Sequence, residues 1–259
     1  MSARVAYDDF AEIYDAWCAS APITRTNQGF YVRHLSGCDG PVVELGVGNG
    51  RICVEVAKHR KDVIGVDSST KILELCRKRA NEAGVSDRLT LLQGDFRDFA
   101  LAEPAALITI PFHSIGHLLK DEDKRKALRN IHGQLRDGGR FIFDHFVFDP
   151  EYPQEPGVPH LRAEFQDPES GRDRLLWEAT TRDLEHQILR IIVWTDDIDA
   201  GGNVVNRRYR RINLSWITPE QSLSMLEQTG FEIDAAYGNF DESPLNEDSA
   251  HQIWIARKR

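Results

Sequence analysis

The chain has 259 residues, 41% of them hydrophobic and 28% charged, with a formal net charge of −9. That suits one large α/β domain, or an ordinary domain with an insertion, and excludes a disordered chain. No apolar run approaches the roughly 18 residues that cross a bilayer, and no cluster of lysine and arginine is long enough to follow a phosphate backbone; neither a membrane nor a nucleic acid is an expected partner. The N-terminus lacks the apolar core of a secretion signal, and Cys18, Cys38, Cys53 and Cys76 form no C-x-x-C pair, so a reducing cytoplasm is the expected location.

Tyr7, Phe10, Tyr14 and Trp17 are spaced three, four and three apart, which puts the four rings on one face of a helix within an N-terminal helical cap over 1–40. From 41 to 150, apolar runs alternate with amphipathic stretches. Strands are predicted over 42–45, 63–66, 89–93, 105–110 and 140–146, and helices over 51–58, 70–83 and 123–135. Gly84 closes the second helix, and Asp137-Gly138-Gly139 follows the third. Strands so continuously hydrophobic suit a parallel sheet covered on both faces, a doubly wound core.

Pro150, Pro153, Pro156 and Pro159 then mark a boundary. Beyond it, 174–181, 187–196 and 204–215 read as strands of an antiparallel meander, with turns at Asp183-Leu184-Glu185-His186 and Asp199-Ala200-Gly201-Gly202-Asn203. We read this as an insertion, or lid, over 160–215. Arg207, Arg208, Arg210 and Arg211 in its last strand read as a solvated sheet surface rather than an anion site. The core resumes over 217–259. Thr218-Pro219-Glu220-Gln221 is a capping box opening a helix that stops at Gly230, and strands over 231–237 and 251–256 complete a single domain.

The chemistry gathers at the strand ends. Val42-Val43-Glu44-Leu45-Gly46-Val47-Gly48-Asn49-Gly50 runs a strand into three alternate glycines, which reach positive φ and bring main-chain N–H groups to a ligand that a Cβ would push away. A dinucleotide fingerprint needs its third glycine where Arg51 stands. Asp67, ending the second strand, can accept both hydroxyls of a ribose, or serve as the acid at a helix N-terminus. Asp95-Phe96, after the third strand, offers a carboxylate for the exocyclic amine of adenine and a ring for the base.

Taken together, E-x-G-x-G-x-G, the acidic end of strand two and Gly94-Asp95-Phe96 resemble the successive motifs of class I S-adenosylmethionine-dependent methyltransferases, over about residues 1–150 and 217–257. The resemblance implies a doubly wound, mostly parallel seven-stranded Rossmann-like sheet with an antiparallel lid insertion. It implies S-adenosylmethionine, with S-adenosylhomocysteine as product, over Gly46, Gly48 and Gly50 with Glu44 beneath the methionine portion. Asp67 and Ser68 fall at the ribose, Asp95 and Phe96 at the adenine, and Ile110 among the cofactor contacts.

The fourth strand leads into Thr109-Ile110-Pro111-Phe112, not the Asn/Asp-Pro-Pro-aromatic of enzymes that methylate nucleic-acid bases. The next segment, Ser114-Ile115-Gly116-His117-Leu118, is similar to small-molecule N-methyltransferases, among them enzymes that dimethylate amino sugars, and more loosely to glycine N-methyltransferase-like proteins. The implied reaction is in-line transfer of a methyl group to a nitrogen of a small-molecule substrate. His117 is the candidate to take or relay the acceptor's proton and Tyr14 to orient the acceptor, with Tyr7, Trp17, Phe112, His113 and His145 as candidate substrate contacts. No acidic residue follows strand four, so no metal is expected. A small-molecule O-methyltransferase, an NAD-dependent oxidoreductase and a non-catalytic cofactor-binding protein are the alternatives. The exposed lid is the candidate homodimer surface.

Overall fold

The computed structural model describes residues 6–152, 155–167 and 170–259; Pro153 of the predicted boundary lies outside them. After a cap come the core strands β1 (Val42–Leu45), β2 (Val63–Asp67), β3 (Leu89–Gln93), β4 (Ala105–Ile110) and β5 (Leu135–Phe146). The lid strands β6 (His160–Gln166), β7 (Asp173–Asp183), β8 (Ile188–Ile198) and β9 (Val204–Ser215) follow, and β10 (Phe231–Tyr237) and β11 (His251–Lys258) return to the core. The core sheet has seven strands in the order β10-β11-β5-β4-β1-β2-β3, and the lid is a separate four-stranded antiparallel sheet.

β1 pairs in parallel with both β2 and β4, so the strand order reverses on either side of it. In sheets of this kind the crevice outside the carboxyl ends at the reversal is where ligands bind. Helices α2 (Ile23–Ser36), α3 (Cys53–Ala57) and α4 (Thr70–Glu82) cover one face of the sheet, and α5 (Asp121–Gln134) and α6 (Pro219–Gln228) the other. Successive residues of β1 serve opposite faces, Val42 packing with Phe30 and Leu73 while Val43 and Leu45 pack with Leu128 and Leu226. Helix ends follow their local chemistry. Ser69 caps α4 by accepting the Ile72 N–H, Gly84 beyond its end has φ +68, and the capping box at Thr218 and Gln221 opens α6.

Several elements differ from the sequence expectations. The aromatic stripe does not ride on one helix: two 3-10 turns, Ala6–Asp9 and Ala11–Ile13, precede α1 (Tyr14–Ala19). A 3-10 turn also stacks residues i and i+3, so Tyr7 and Phe10 still share a side. β5 begins at Leu135 rather than 140, absorbing Asp137-Gly138-Gly139 with Gly138 at φ +70. α3 has 5 residues and starts at Cys53, leaving Arg51 in the turn before it. β6 was not predicted, although Leu161, Ala163 and Phe165 alternate with polar residues: it is a 7-residue edge strand with no fully buried residue, directly after the proline-rich boundary.

The arginines of β9 are the clearest correction. Arg210 is 3% exposed, donates to the Asp9 carbonyl at 2.6 Å and pairs with Glu12, while Arg208 reaches Glu12 at 2.9 Å. Arg207, Arg208 and Arg211 are exposed as expected, whereas Arg210 is buried, and Arg208 and Arg210 together tie the lid to the cap.

Candidate active site

Gly46, Gly48 and Gly50 have φ of 70°, 58° and 79°. The amides of Gly46 and Val47 both donate to the Val66 carbonyl, at 2.8 and 3.0 Å, folding the turn against the end of β2. Of the three glycines, only Gly46 lines a cavity. A Cβ on Gly48 would come within 2.5 Å of the Tyr14 hydroxyl, so the cap rests on the turn there. A Cβ on Gly50 would meet Cys76 Sγ at 2.5 Å, which makes that glycine a requirement of α4 packing. Asp67 fastens the same region, its Oδ2 accepting the Gly48 N–H at 3.1 Å and its Oδ1 the Ser69 N–H at 3.0 Å. Burial pushes its carboxyl up, opposed by those amides.

Over Gly46 opens a cavity of about 350 Å³. Nine of the sequence candidates line it: Tyr7, Tyr14, Gly46, Asp67, Ser68, Asp95, Phe96, Phe112 and His117. Sequence reasoning missed Arg97 and Asp123. Arg97 donates from Nε to Asp95 Oδ1 and from Nη2 to Asp95 Oδ2, both at 2.8 Å, and reaches Asp123 at 3.2 Å, so the Asp95 carboxyl stays below the usual range. The signal was an arginine two residues after the motif aspartate, where a fork can chelate it. A smaller chamber of about 20 Å³ adjoins past Tyr14, Phe112 and Ser114 and is lined by Glu44, Asn49 and Arg51. Glu44 is buried and its Oε2 accepts the Cys53 N–H at 2.9 Å; burial pushes its carboxyl from an ordinary 4.5 to about 7.

His117 ends a 3-10 turn, Ser114–His117, that is clamped to the last residue of β9. Ser215 Oγ donates to the carbonyls of Gly116 and Leu118 at 2.9 and 3.1 Å, and a Cβ on Gly116 would stand 2.7 Å from the Ser215 carbonyl. Lid and core therefore meet at this turn. The Tyr7 hydroxyl lies 2.7 Å from His117 Nε2, with the rings edge-on. Burial pushes the imidazole down to about 4 against the pull of a bond to the Asn213 main chain, so the ring is neutral at ordinary pH.

Other candidates lie outside both chambers. Ile110 is buried within the sheet core. Trp17 packs against Phe10 at 5.0 Å and donates to Glu178 at 3.3 Å, because the aromatic stripe forms the core between cap and lid. His145 is fully buried and bonds the Ser215 carbonyl at 3.1 Å. His113 turns toward Asp144, its Nδ1 3.1 Å from Oδ2 but out of line for a hydrogen bond.

Asp144, unassigned by sequence, organises this corner. It accepts the Tyr31 hydroxyl at 2.6 Å and the amides of Phe112 and His113 at 2.8 and 3.2 Å. Phe112 and His113 both sit at left-handed φ, 61° and 58°, a strained pair for non-glycine residues. The turn aims the Phe112 ring at the junction of the two chambers. Burial would raise the Asp144 carboxyl, but His113, Tyr31 and the Phe112 amide outweigh it and hold it below the usual range.

Comparison with known proteins matches this architecture. Residues 42–139 match the methyltransferase domain family. An uncharacterised methyltransferase of Oceanobacillus iheyensis is 27% identical over 58% of this chain and 62% of its own length. The chain spans just under two thirds of the length of the first curated relatives it matches. Among solved structures, the CcbJ methyltransferase of Streptomyces caelestis superposes with a TM-score of 0.82 at 21% identity, covering 98% of each chain. The sugar N-methyltransferase KedS8 of a Streptoalloteichus species gives 0.67 at 17% identity, covering 100% of this chain and 89% of its own. Residues 42–139 are therefore a methyltransferase domain, set in a chain that shares its whole fold with solved methyltransferases.

Proposed function

We propose that the protein transfers a methyl group from S-adenosylmethionine to a nitrogen of a small molecule, an amino sugar being the leading class of acceptor. The observation that carries this is the cavity over Gly46 that gathers Asp67, Ser68, Asp95, Phe96, Phe112 and the Tyr7–His117 pair. The residues fit the cofactor. Gly46 floors the cavity with bare main chain, where a Cβ would press on Phe96 and Ser114 at 3.3 Å. Asp67 accepts the Gly48 and Ser69 amides, one on each oxygen, and the same oxygens would accept the two ribose hydroxyls. Asp95, locked by Arg97, and the Phe96 ring form the adenine end, and Glu44 lies beneath the methionine end. Similarity to a sugar N-methyltransferase supports the acceptor class.

S-adenosylmethionine supplies an electrophilic methyl on a good leaving group, so the protein's task is alignment. Neutral His117 accepts the Tyr7 hydroxyl and fixes its direction, and the Tyr7 oxygen then presents a lone pair to an acceptor N–H. Tyr14 steadies the acceptor from the cap. The buried, aromatic surroundings disfavour an ammonium, so the amine enters as the neutral nucleophile. Homodimerisation through the lid is supported by exposed Val204, Val205 and Tyr209 on edge strand β9, and sedimentation checks it.

Isothermal titration with S-adenosylhomocysteine tests the cofactor reading, and absence of binding at millimolar concentration overturns it. Release of S-adenosylhomocysteine across a panel of amino sugars, other amines and phenols tests the acceptor; turnover confined to phenols overturns N-methylation.

A further inference from the structure

The cavity over Gly46 and the smaller chamber meet at a ring of four residues, because Tyr14, Gly46, Phe112 and Ser114 line both. With the adenine end at Asp95 and the methionine end over Glu44, a cofactor laid through the two spaces carries its sulfur at that ring. Three of the four residues offer the sulfur little. Gly46 is bare main chain and Phe112 presents a hydrocarbon ring. The Tyr14 hydroxyl is turned to the glycine turn, where a Cβ on Gly48 would come within 2.5 Å of it.

Ser114 differs. Its Oγ donates to the Pro111 carbonyl at 2.7 Å, so its one hydrogen is committed within the turn after β4 and the oxygen can act toward a ligand only as an acceptor. Among the described residues no group donates to that oxygen. It stands beside Gly46, since a Cβ built there would lie 3.3 Å from both Cβ and Oγ of Ser114. Ser114 opens the 3-10 turn whose far end Ser215 clamps, so the place of the oxygen is fixed from both sides.

We propose that Ser114 acts in the transfer through Oγ, as an acceptor held against the sulfonium and its methyl; this rests on the cofactor reading above. During transfer the amine lone pair forms the N–C bond as the C–S electron pair returns to sulfur. Positive charge thereby leaves sulfur for nitrogen, and the new ammonium gives its proton to water. A fixed oxygen beside the sulfonium attracts the cofactor while the charge is there and loses that attraction once the neutral thioether forms. Weak contacts from the methyl hydrogens to the same oxygen hold the methyl on the line of attack. Ser114 so separates substrate from product at the one atom where they differ in charge.

Isothermal titration of three ligands tests this. S-adenosylmethionine carries a positive charge at the ring, sinefungin carries a protonated amine in the same place, and S-adenosylhomocysteine is neutral there. In Ser114→Ala the affinity of each cation relative to S-adenosylhomocysteine should fall about 3–10-fold, with S-adenosylhomocysteine itself held within about threefold of wild type. Turnover should show it too, kcat/KM for S-adenosylmethionine falling by at least the same factor. Ser114→Cys, a weaker acceptor of nearly the same size, should fall between, and it decides the matter if Ser114→Ala does not fold. Equal weakening of all three ligands, as a purely structural role in the turn would give, or unchanged ratios in the folded variants, overturns the assignment and leaves the cofactor reading intact. If none of the three binds wild type, the cofactor reading fails and this inference with it.

Discussion

At the scale of single residues, two buried groups have protonation states set by their surroundings. The His117 imidazole, driven down to about 4 by burial, cannot be the base whose titration shapes activity near neutrality. His117→Phe should lower kcat about 10–100-fold by releasing the Tyr7 hydroxyl, with S-adenosylhomocysteine affinity within about threefold. The shape of the kcat/KM profile between about pH 5 and 8 should not change. An acid limb that vanishes in the variant would show that this imidazole does titrate in turnover. Glu44 is shifted the other way, to about 7. A carboxyl raised on folding contributes stability in full below its unfolded value and loses it as pH rises through the folded value. Wild type should thus lose about 3 kcal/mol between pH 4.5 and 7 from this group, and Glu44→Gln should not. Urea titrations at several pH values check this, and parallel curves for the two proteins would contradict it.

At the scale of elements, the left-handed turn after β4 depends on Asp144. Removing that side chain strands the Tyr31 hydroxyl and the Phe112 and His113 amides. Asp144→Ala should therefore cost at least about 3 kcal/mol in chemical denaturation and weaken cofactor binding, while Asp144→Asn, which can still accept, should cost about half as much. A loss under about 1 kcal/mol for the alanine variant would mean that the turn holds itself. Nothing in Ile110-Pro111-Phe112-His113 announces this arrangement, since neither residue at positive φ is a glycine or asparagine. Its anchor comes from the next strand, 31 residues on in the case of His113. By contrast, the strands of the core were legible because burial on both faces leaves continuous apolar runs, and the glycine turn because its chemistry is local. The lid was legible in the long strands β7 to β9, set off by their turns, and not in the short edge strand β6. Of the site, Asp67 and Asp95 could be read from strand ends and Arg97 from its place two residues after Asp95, whereas Ser215 and Asp144 act through partners that only the fold brings near.

At the scale of the whole molecule, the cap joins both sheets across the cavity. Asp8 accepts from Ser69 Oγ at 2.6 Å, Asp15 accepts from Asn49, Tyr14 rests on Gly48 and Tyr7 reaches His117. On the lid side Glu12 pairs with Arg208 and Arg210. With the roof built this way, lifting of the cap is the predicted route of ligand exchange, and its costliest step is parting Glu12 from Arg210, which is 3% exposed. Glu12→Gln keeps the shape and removes the charge. Dissociation of S-adenosylhomocysteine, followed by stopped flow, should quicken about tenfold in this variant. In wild type the same rate should rise between about 0.05 and 0.5 M salt, and in the variant it should respond less, because half-exposed Glu12 can be screened where Arg210 cannot. A dissociation rate unmoved by both substitution and salt would mean that the cavity opens elsewhere, by the lid swinging about Ser215 and the turn that holds His117.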